Sequence, residues 1–300
     1  MTSETQRVVA QDGKDISSAT PLPAGGWGIR GWLSAIYTNL SDSAFTASRT
    51  GLVNNKAARV VYVLGRRTVF AATTPFQDVA QYLVGAQSAL NAVAVGTEYF
   101  VVSTSATDVA GSAGISKVRI VSLDSAGNQQ VTSATLNGTT KVSIGSGYTA
   151  FQWMESSELG TAAARAAVGN IAIFSGAGAA AAEATTVEQI QANGNRSLSG
   201  RYTIPTGYVG YIVEWHGSAA GSQAMDIRLR ADVFADDRVI SAGIFHFQGT
   251  AYVPAGSGFD SELHYLKFPA GVMVKASVYP AATTGTPRCD VNINLVLVAV

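Results

Sequence analysis

Three hundred residues carry only 13% charged side chains, split evenly into 20 basic and 20 acidic, together with 31 glycines and a lone cysteine. A zero formal charge excludes the broad basic footprint that nucleic-acid binding needs and offers an anionic membrane nothing to hold. A surface built from Thr, Ser, Gly and Ala instead of Lys and Glu suits one covered by neighbouring copies of the chain, although some extracellular β proteins share the bias.

The chain is long enough for two modules without covalent staples. Met1 to Thr20 is polar with no apolar centre, which argues against a secretory signal, and no run approaches the roughly 18 apolar residues of a membrane-spanning helix. Residues 1–28 read as an extended arm, punctuated by Pro21, Pro23, Gly25, Gly26 and Gly28, a composition that cannot form its own core. Next come Ile29, Trp32, Leu33, Ile36, Tyr37 and Leu40, spaced to form one apolar face of a helix. Such a short helix is marginal alone in water, so its face must dock, either on the chain's own body or on another subunit. These six residues are the candidate attachment interface.

Residues 59–94 read as connecting structure: two short strands, Arg59 to Leu64 and Arg67 to Ala72, around Gly65, then a short helix, Phe76 to Val84, after Pro75. From Thr97 the pattern is β. In the span 95–195 the expected strands are Glu98 to Ser103, Lys117 to Leu123, Gln129 to Leu136, Thr140 to Ile144, Thr149 to Met154 and Asn170 to Phe174. Asp124 to Asn128 supplies a Gly-containing hairpin loop, and Asn137-Gly138 the dipeptide that favours a tight hairpin. The Ala-rich stretch Thr161 to Val168, flanked by Gly160 and Gly169, suits a loop at least as well as a helix. Gly176 to Ala184 is small and low in complexity, as in a loop or a packed contact.

Residues 196–300 carry seven further β runs: Arg201 to Ile204, Val209 to Trp215, Met225 to Phe234, Val239 to Phe247, Glu262 to Phe268, Val272 to Tyr279 and Asp290 to Ala299. Alternation in Asp226-Ile227-Arg228-Leu229-Arg230 and Val291-Asn292-Ile293-Asn294-Leu295 implies one buried and one wetter face. The expected fold class is mainly β: two antiparallel β-sandwich or jelly-roll-like modules, preceded by an extended N-terminal arm (1–58) that includes the short amphipathic helix.

Candidates for chemistry are sparse. His216, His246 and His264 lack paired ligand spacing and read as ordinary β histidines. Asp226, Asp236, Asp237, Asp260 and Glu262 show no ligand periodicity and read as solvated turn carboxylates. Gly111-Ser112-Ala113-Gly114 is Gly-rich without the lysine of a phosphate loop. Arg66 and Arg67 belong to no larger basic tract. Trp153, Tyr202, Tyr208, Tyr211 and Trp215 could form a sugar-binding platform, although aromatics in strands are more often core. Cys289 is expected to be a buried, inert thiol. No nucleophile has a base beside it, no metal or cofactor site emerges, and an enzyme is not expected.

The run Pro23-Ala-Gly-Gly-Trp-Gly-Ile-Arg-Gly-Trp-Leu-Ser-Ala-Ile-Tyr-Thr-Asn-Leu40 resembles a Gly-rich helix opening near the start of bacteriophage virion structural proteins. Asp108 to Asp124, Val131 to Val142 with Thr135-Leu-Asn-Gly-Thr-Thr140, Tyr202-Thr-Ile-Pro-Thr-Gly207, Lys267-Phe-Pro-Ala-Gly271 and Asn294-Leu-Val-Leu-Val298 resemble β modules of phage head and tail decoration proteins. The resemblance covers most of residues 20–300. It implies a non-enzymatic, multi-copy protein, often a homotrimer, made in the bacterial cytoplasm and attached to the major capsid protein or other virion proteins as a capsid decoration or cement subunit. A tail, baseplate or fibre component that binds a host glycan is the alternative, and a polysaccharide-degrading enzyme on a β scaffold the third reading.

Overall fold

Alternating burial along the chain organises sixteen strands among the described residues. The computed structural model describes residues 58–70, 76–83, 87, 89–161, 165–232, 245–284 and 287–300. The chain divides into residues 1–59 and a compact unit, Val60–Val300. The expected arm and the helix bearing Ile29, Trp32, Leu33, Ile36, Tyr37 and Leu40 lie outside the described residues.

One pair of sheets closes over a core drawn from both ends of the compact unit. The first sheet runs β1 (Ala58–Arg67), β16 (Arg288–Ala299), β11 (Tyr208–Ala220), β14 (Ser257–Phe268). The second runs β10 (Arg201–Thr203), β15 (Met273–Pro280), β12 (Met225–Ala231), β13 (His246–Val253), with β2 (Gln77–Asp78) also paired to β15. β11 is antiparallel to both of its neighbours, as β12 is to its own. The period of two sends Ile227 and Leu229 inward with Val274, Ala276 and Val278, to meet Ile212, Trp215, Ile293 and Leu295 of the facing sheet. Each such aliphatic or aromatic side chain contributes roughly 1.5–3 kcal/mol on burial, before ordering costs.

The other pair is built within residues 99–190. One sheet is β6 (Val142–Gly145), β3 (Tyr99–Ser103), β8 (Ile171–Ser175), β9 (Thr186–Ile190), and the other β5 (Gln129–Thr135), β4 (Ile115–Asp124), β7 (Tyr148–Leu159). Their shared core includes Val101, Val118, Ile120, Met154, Ile171 and Ile173. Tyr99, Tyr148 and Phe151 meet within it at ring distances of 4.8 to 6.1 Å. The protein is thus mainly β, with antiparallel sheets in two sandwich-like pairs.

Several expectations need correction. The first of the two strands expected around Gly65 is part of β1, which continues through Gly65 to Arg67, whereas the second, Arg67 to Ala72, is not formed over residues 68–70 and its last two residues lie outside the described set. Gly65 marks a close approach, since a Cβ there would lie 2.6 Å from the Gly200 Cα. The helix expected over Phe76 to Val84 is not formed in its described part, 76–83. Gln77 and Asp78 pair with β15, and Ala80 bridges Ser199. Buried partners for Gln77 and Asp78, namely Arg67 and Lys275, outweigh the weak propensity of a nine-residue helix. Asn137-Gly138 does turn tightly, with Thr140 N–H donating to the Asn137 carbonyl at 3.0 Å, but the turn carries the chain from β5 in one sheet to β6 in the other instead of closing a hairpin. Of the expected strand Val239 to Phe247, residues 239–244 lie outside the described set, while β13 starts at His246 and continues to Val253. β9 was not expected, because Glu188 and Gln189 interrupt its apolar pattern; Glu188 is nevertheless fully buried.

Polar contacts fasten the two sandwiches together. Gln152 of β7 grips the Thr203 backbone in both directions, donating to its carbonyl at 2.6 Å and accepting from its N–H at 2.9 Å. Arg201 reaches Glu188 at 3.5 Å with both side chains buried. Burial raises the Glu188 carboxyl above its ordinary range, and Arg201 and Ser199 oppose that shift. Within the first sandwich, Arg67, wholly buried, donates to the Asp78 and Gln87 carbonyls and to the Gln77 side chain. No helix among the described residues is long and apolar enough to cross a membrane.

Candidate interaction surface

The outer face of the second sheet follows from the alternation in β12. With Ile227 and Leu229 buried, Asp226, Arg228 and Arg230 point outward. Strand register then fixes their neighbours, because directly opposed residues share a face. Asp226 lies between Tyr252 and Tyr279, Arg228 between Thr250 and Ser277, and Arg230 between Phe247 and Lys275. A bulge in β13 opposite Leu229 and Arg230 shifts the register by one residue, which turns Phe247 outward. It leaves Gly249 over the core, where a Cβ would come within 3.3 Å of the Trp215 ring.

The result is an unusual concentration of exposed aromatic surface. Tyr252, Phe247 and Tyr279 are 68%, 59% and 44% exposed. Phe76 sits beside them, its ring 5.6 Å from Tyr279 and 6.4 Å from Phe247. The Arg228 guanidinium lies 3.5 Å from the Phe76 ring centre and 4.3 Å from that of Phe247, within cation–π range of both. Singly exposed apolar residues need no explanation, whereas a contiguous group of large ones marks an interaction site.

The aromatics singled out from sequence are placed elsewhere. Trp215 and Tyr202 are core residues, Trp153 stacks on Tyr202 at the junction of the two sandwiches, Tyr208 packs against the core, and Tyr211 is half-buried on β11. They do not form a common platform. Phe76, Phe247, Tyr252 and Tyr279 were missed. Alternation in β12 was visible, but which residues of β13 and β15 stand beside it depends on register, and the bulge alters that register.

His216 also acquires partners through register. Glu214 lies two residues away on β11, and Asp260 directly opposite on β14. Nε2 of His216 is 3.2 Å from Glu214, and Nδ1 is 3.0 Å from Asp260. One oxygen from each carboxylate and one ring nitrogen lie within 4.8 Å of one another. The carboxylates occupy opposite edges of the ring, however, so the arrangement is an imidazole clamped between two acids, with Asn294 donating to Glu214 at 2.6 Å. His246 stands on the other sheet, at the start of β13. Asp236 and Asp237 lie outside the described residues.

The Gly-rich loop at 111–114 packs against a buried carboxylate that its flanking segments hold. Asp108 is fully buried and accepts hydrogen bonds from the backbone N–H groups of Ile115, Val168 and Gly169 at 3.0, 3.0 and 2.9 Å and from the Ser103 hydroxyl. Gly114 approaches so closely that a Cβ would stand 2.1 Å from Asp108 Oδ1. Cys289 is a buried free cysteine, and burial raises its thiol well above the ordinary range.

No protein-family model matches the chain, and no curated protein matches it. Among solved structures, a chain of infectious bursal disease virus, Gx strain, is 10% identical and aligns over 82% of this chain and 73% of its own, with a TM-score of 0.24. A tandem CBM22 domain from Paenibacillus barcinonensis Xyn10C is 14% identical over 82% of this chain and 99% of its own, with a TM-score of 0.24. A chain of the T13 infectious bursal disease virus particle is 7% identical over 82% and 70%, also at 0.24. Likeness at this level carries no argument about fold or function.

Proposed function

We propose that this chain is a non-enzymatic structural protein of a bacteriophage virion, a decoration or cement subunit standing on the capsid shell as a homotrimer. The observation that carries this reading is the junction between the two sandwiches. Withdrawing charges from water costs several kcal/mol per ion unless their partners are held in fixed geometry, and here Glu188 of one sandwich and Arg201 of the other are buried as such a pair across the junction, beside the Gln152 side chain that grips the Thr203 backbone. A protein that locks two β bodies into one stiff unit suits a load-bearing role. The sequence resemblance to phage virion proteins and the low-charge surface agree with it. Residues 1–40 are the attachment element in this reading, with Ile29, Trp32, Leu33, Ile36, Tyr37 and Leu40 buried against the shell. The major capsid protein is the partner, many weak contacts act together on each particle, and no cofactor, nucleic acid or membrane takes part.

The exposed aromatic face favours a second reading, a tail, baseplate or fibre component that meets a host glycan. Counting copies separates the two. Quantitative mass spectrometry of purified particles, with the subunit located by cryo-electron microscopy, should find hundreds of copies in mutually contacting threefold groups on the shell. A small multiple of three or six at the tail would support the second reading, and absence from particles would overturn both.

A further inference from the structure

We infer that the outer face of the β15-β12-β13 sheet is a binding site for a carboxylate-bearing polysaccharide, with Tyr252 and Tyr279 as stacking surfaces and Arg228 as the group that takes the carboxylate. The inference rests on the glycan-binding reading above and names its ligand class.

The order of side chains across the face distinguishes this ligand from a second protein. A protein–protein interface has an apolar centre depleted of charge and a polar rim. Here the order is reversed: the central strand β12 presents Asp226, Arg228 and Arg230, and the aromatics stand on the flanking strands. Tyr252 and Tyr279 share Asp226 as their cross-strand neighbour, so they stand two strand spacings apart, roughly 9.5 Å. A sugar chain laid across the strands can set the C–H faces of its rings on both tyrosines while its hydroxyls donate to the Asp226 carboxylate between them.

Arg228 gives the sign of the ligand. Among the described residues its guanidinium makes ring contacts only, over Phe76 and Phe247. Stacking fixes the plane of the guanidinium and leaves its N–H fork to meet a planar two-oxygen acceptor, for which arginine is better suited than lysine. Arg230 is engaged differently, with long contacts to the Ser277 hydroxyl and the Phe245 carbonyl, both at 3.4 Å. A uronate-type carboxylate near Arg228, with neighbouring sugars on the tyrosines, engages Arg228, Asp226, Tyr252 and Tyr279 together.

The test is affinity electrophoresis of the full chain in native gels containing alginate or polygalacturonate, with dextran as the neutral control. Retardation by at least one acidic polysaccharide and not by dextran is expected, together with a tenfold or greater loss of affinity in Tyr252→Ala and in Arg228→Ala and a partial loss in Arg228→Lys. Because Arg228 packs on two rings, Tyr252→Ala, at a largely exposed position, is the variant that separates binding from folding, and thermal melting checks each protein. Lys117→Ala on the other sandwich should bind as wild type does. No retardation in either acidic gel would overturn the inference and leave the virion reading to the copy count. Equal retardation by dextran would overturn the carboxylate requirement. Concentration-dependent self-association that Tyr252→Ala abolishes would assign the face to a second copy and overturn the inference as well.

Discussion

The Lys275 ammonium lies 2.8 Å from the Asp78 carboxylate, joining two buried residues 197 positions apart in sequence. Asp78 also accepts from the Leu90 N–H at 3.0 Å and from the Ser277 hydroxyl at 3.1 Å. Burial draws the Lys275 pKa below its ordinary value, and Asp78 opposes that pull.

Removing only the acid should therefore be costly. Asp78→Ala leaves a buried ammonium without its counterion and should lower stability by about 3–5 kcal/mol. Asp78→Leu combined with Lys275→Met replaces both charges with apolar groups, leaving only the Leu90 and Ser277 donors to be satisfied, so it should cost less than Asp78→Ala alone. Urea unfolding of the three proteins checks this. A double variant less stable than the single one would show that the pair contributes a net attraction beyond its desolvation cost.

The same pair shows where sequence reasoning stops. Alternation in β12 and β16 identified buried and exposed faces, because the period of two runs unbroken along β12 and along β16 as far as Leu295. Asp78 was assigned to a short helix because nothing local discloses that its partners lie on β15, almost two hundred residues away. Glu188 and Gln189 hid β9 for the same reason, since a buried charge reads as a surface residue until its partner is known. The aromatic face depended on a bulge in β13, a one-residue register shift that composition does not encode. The Asp124 hairpin, by contrast, was visible at once, because its turn chemistry is contained in five consecutive residues.

Asp108 should be among the most sensitive positions of the 99–190 sandwich. Asp108→Ala strands three backbone N–H groups and a hydroxyl in a buried site, each orphaned donor costing about 1–3 kcal/mol and not additively. Asp108→Asn keeps one acceptor oxygen but turns an amide NH2 toward donors, so an intermediate loss is expected. Chemical denaturation should rank the proteins wild type, Asn, Ala in falling stability. An Ala variant within experimental error of wild type would refute the role given to this carboxylate.

Asp124 links the hairpin to pH. The Asn128 backbone N–H, followed by the Gln130 and Asn128 side chains and the Ala126 N–H, holds its carboxyl below the ordinary value of 3.8. The folded pKa is depressed, so the stabilisation is present above 3.8 and is lost as pH falls through the folded value. Asp124→Asn should melt below wild type at neutral pH, and the difference should shrink in strong acid. Melting curves across that range check the sign, and a gap that widens in acid would contradict it.

The attachment role proposed for residues 1–40 makes the most direct prediction about function. Ile29, Trp32, Leu33, Ile36, Tyr37 and Leu40 form an apolar stripe at helical spacing, and each large side chain contributes roughly 1.5–3 kcal/mol when buried, less the entropy of ordering the arm. Attachment through this stripe predicts that deleting residues 1–40 abolishes particle binding while leaving the melting temperature of the remainder unchanged. Trp32→Ala should weaken binding by removing one aromatic anchor. Docking of the stripe on the chain's own body predicts the opposite pair of results, a lowered melting temperature or aggregation. Co-sedimentation with particles stripped of the native subunit, read beside thermal melting, measures both quantities at once. A truncated protein that melts as the full chain does and still saturates particles would exclude the attachment role, because neither stability nor binding would then depend on the arm.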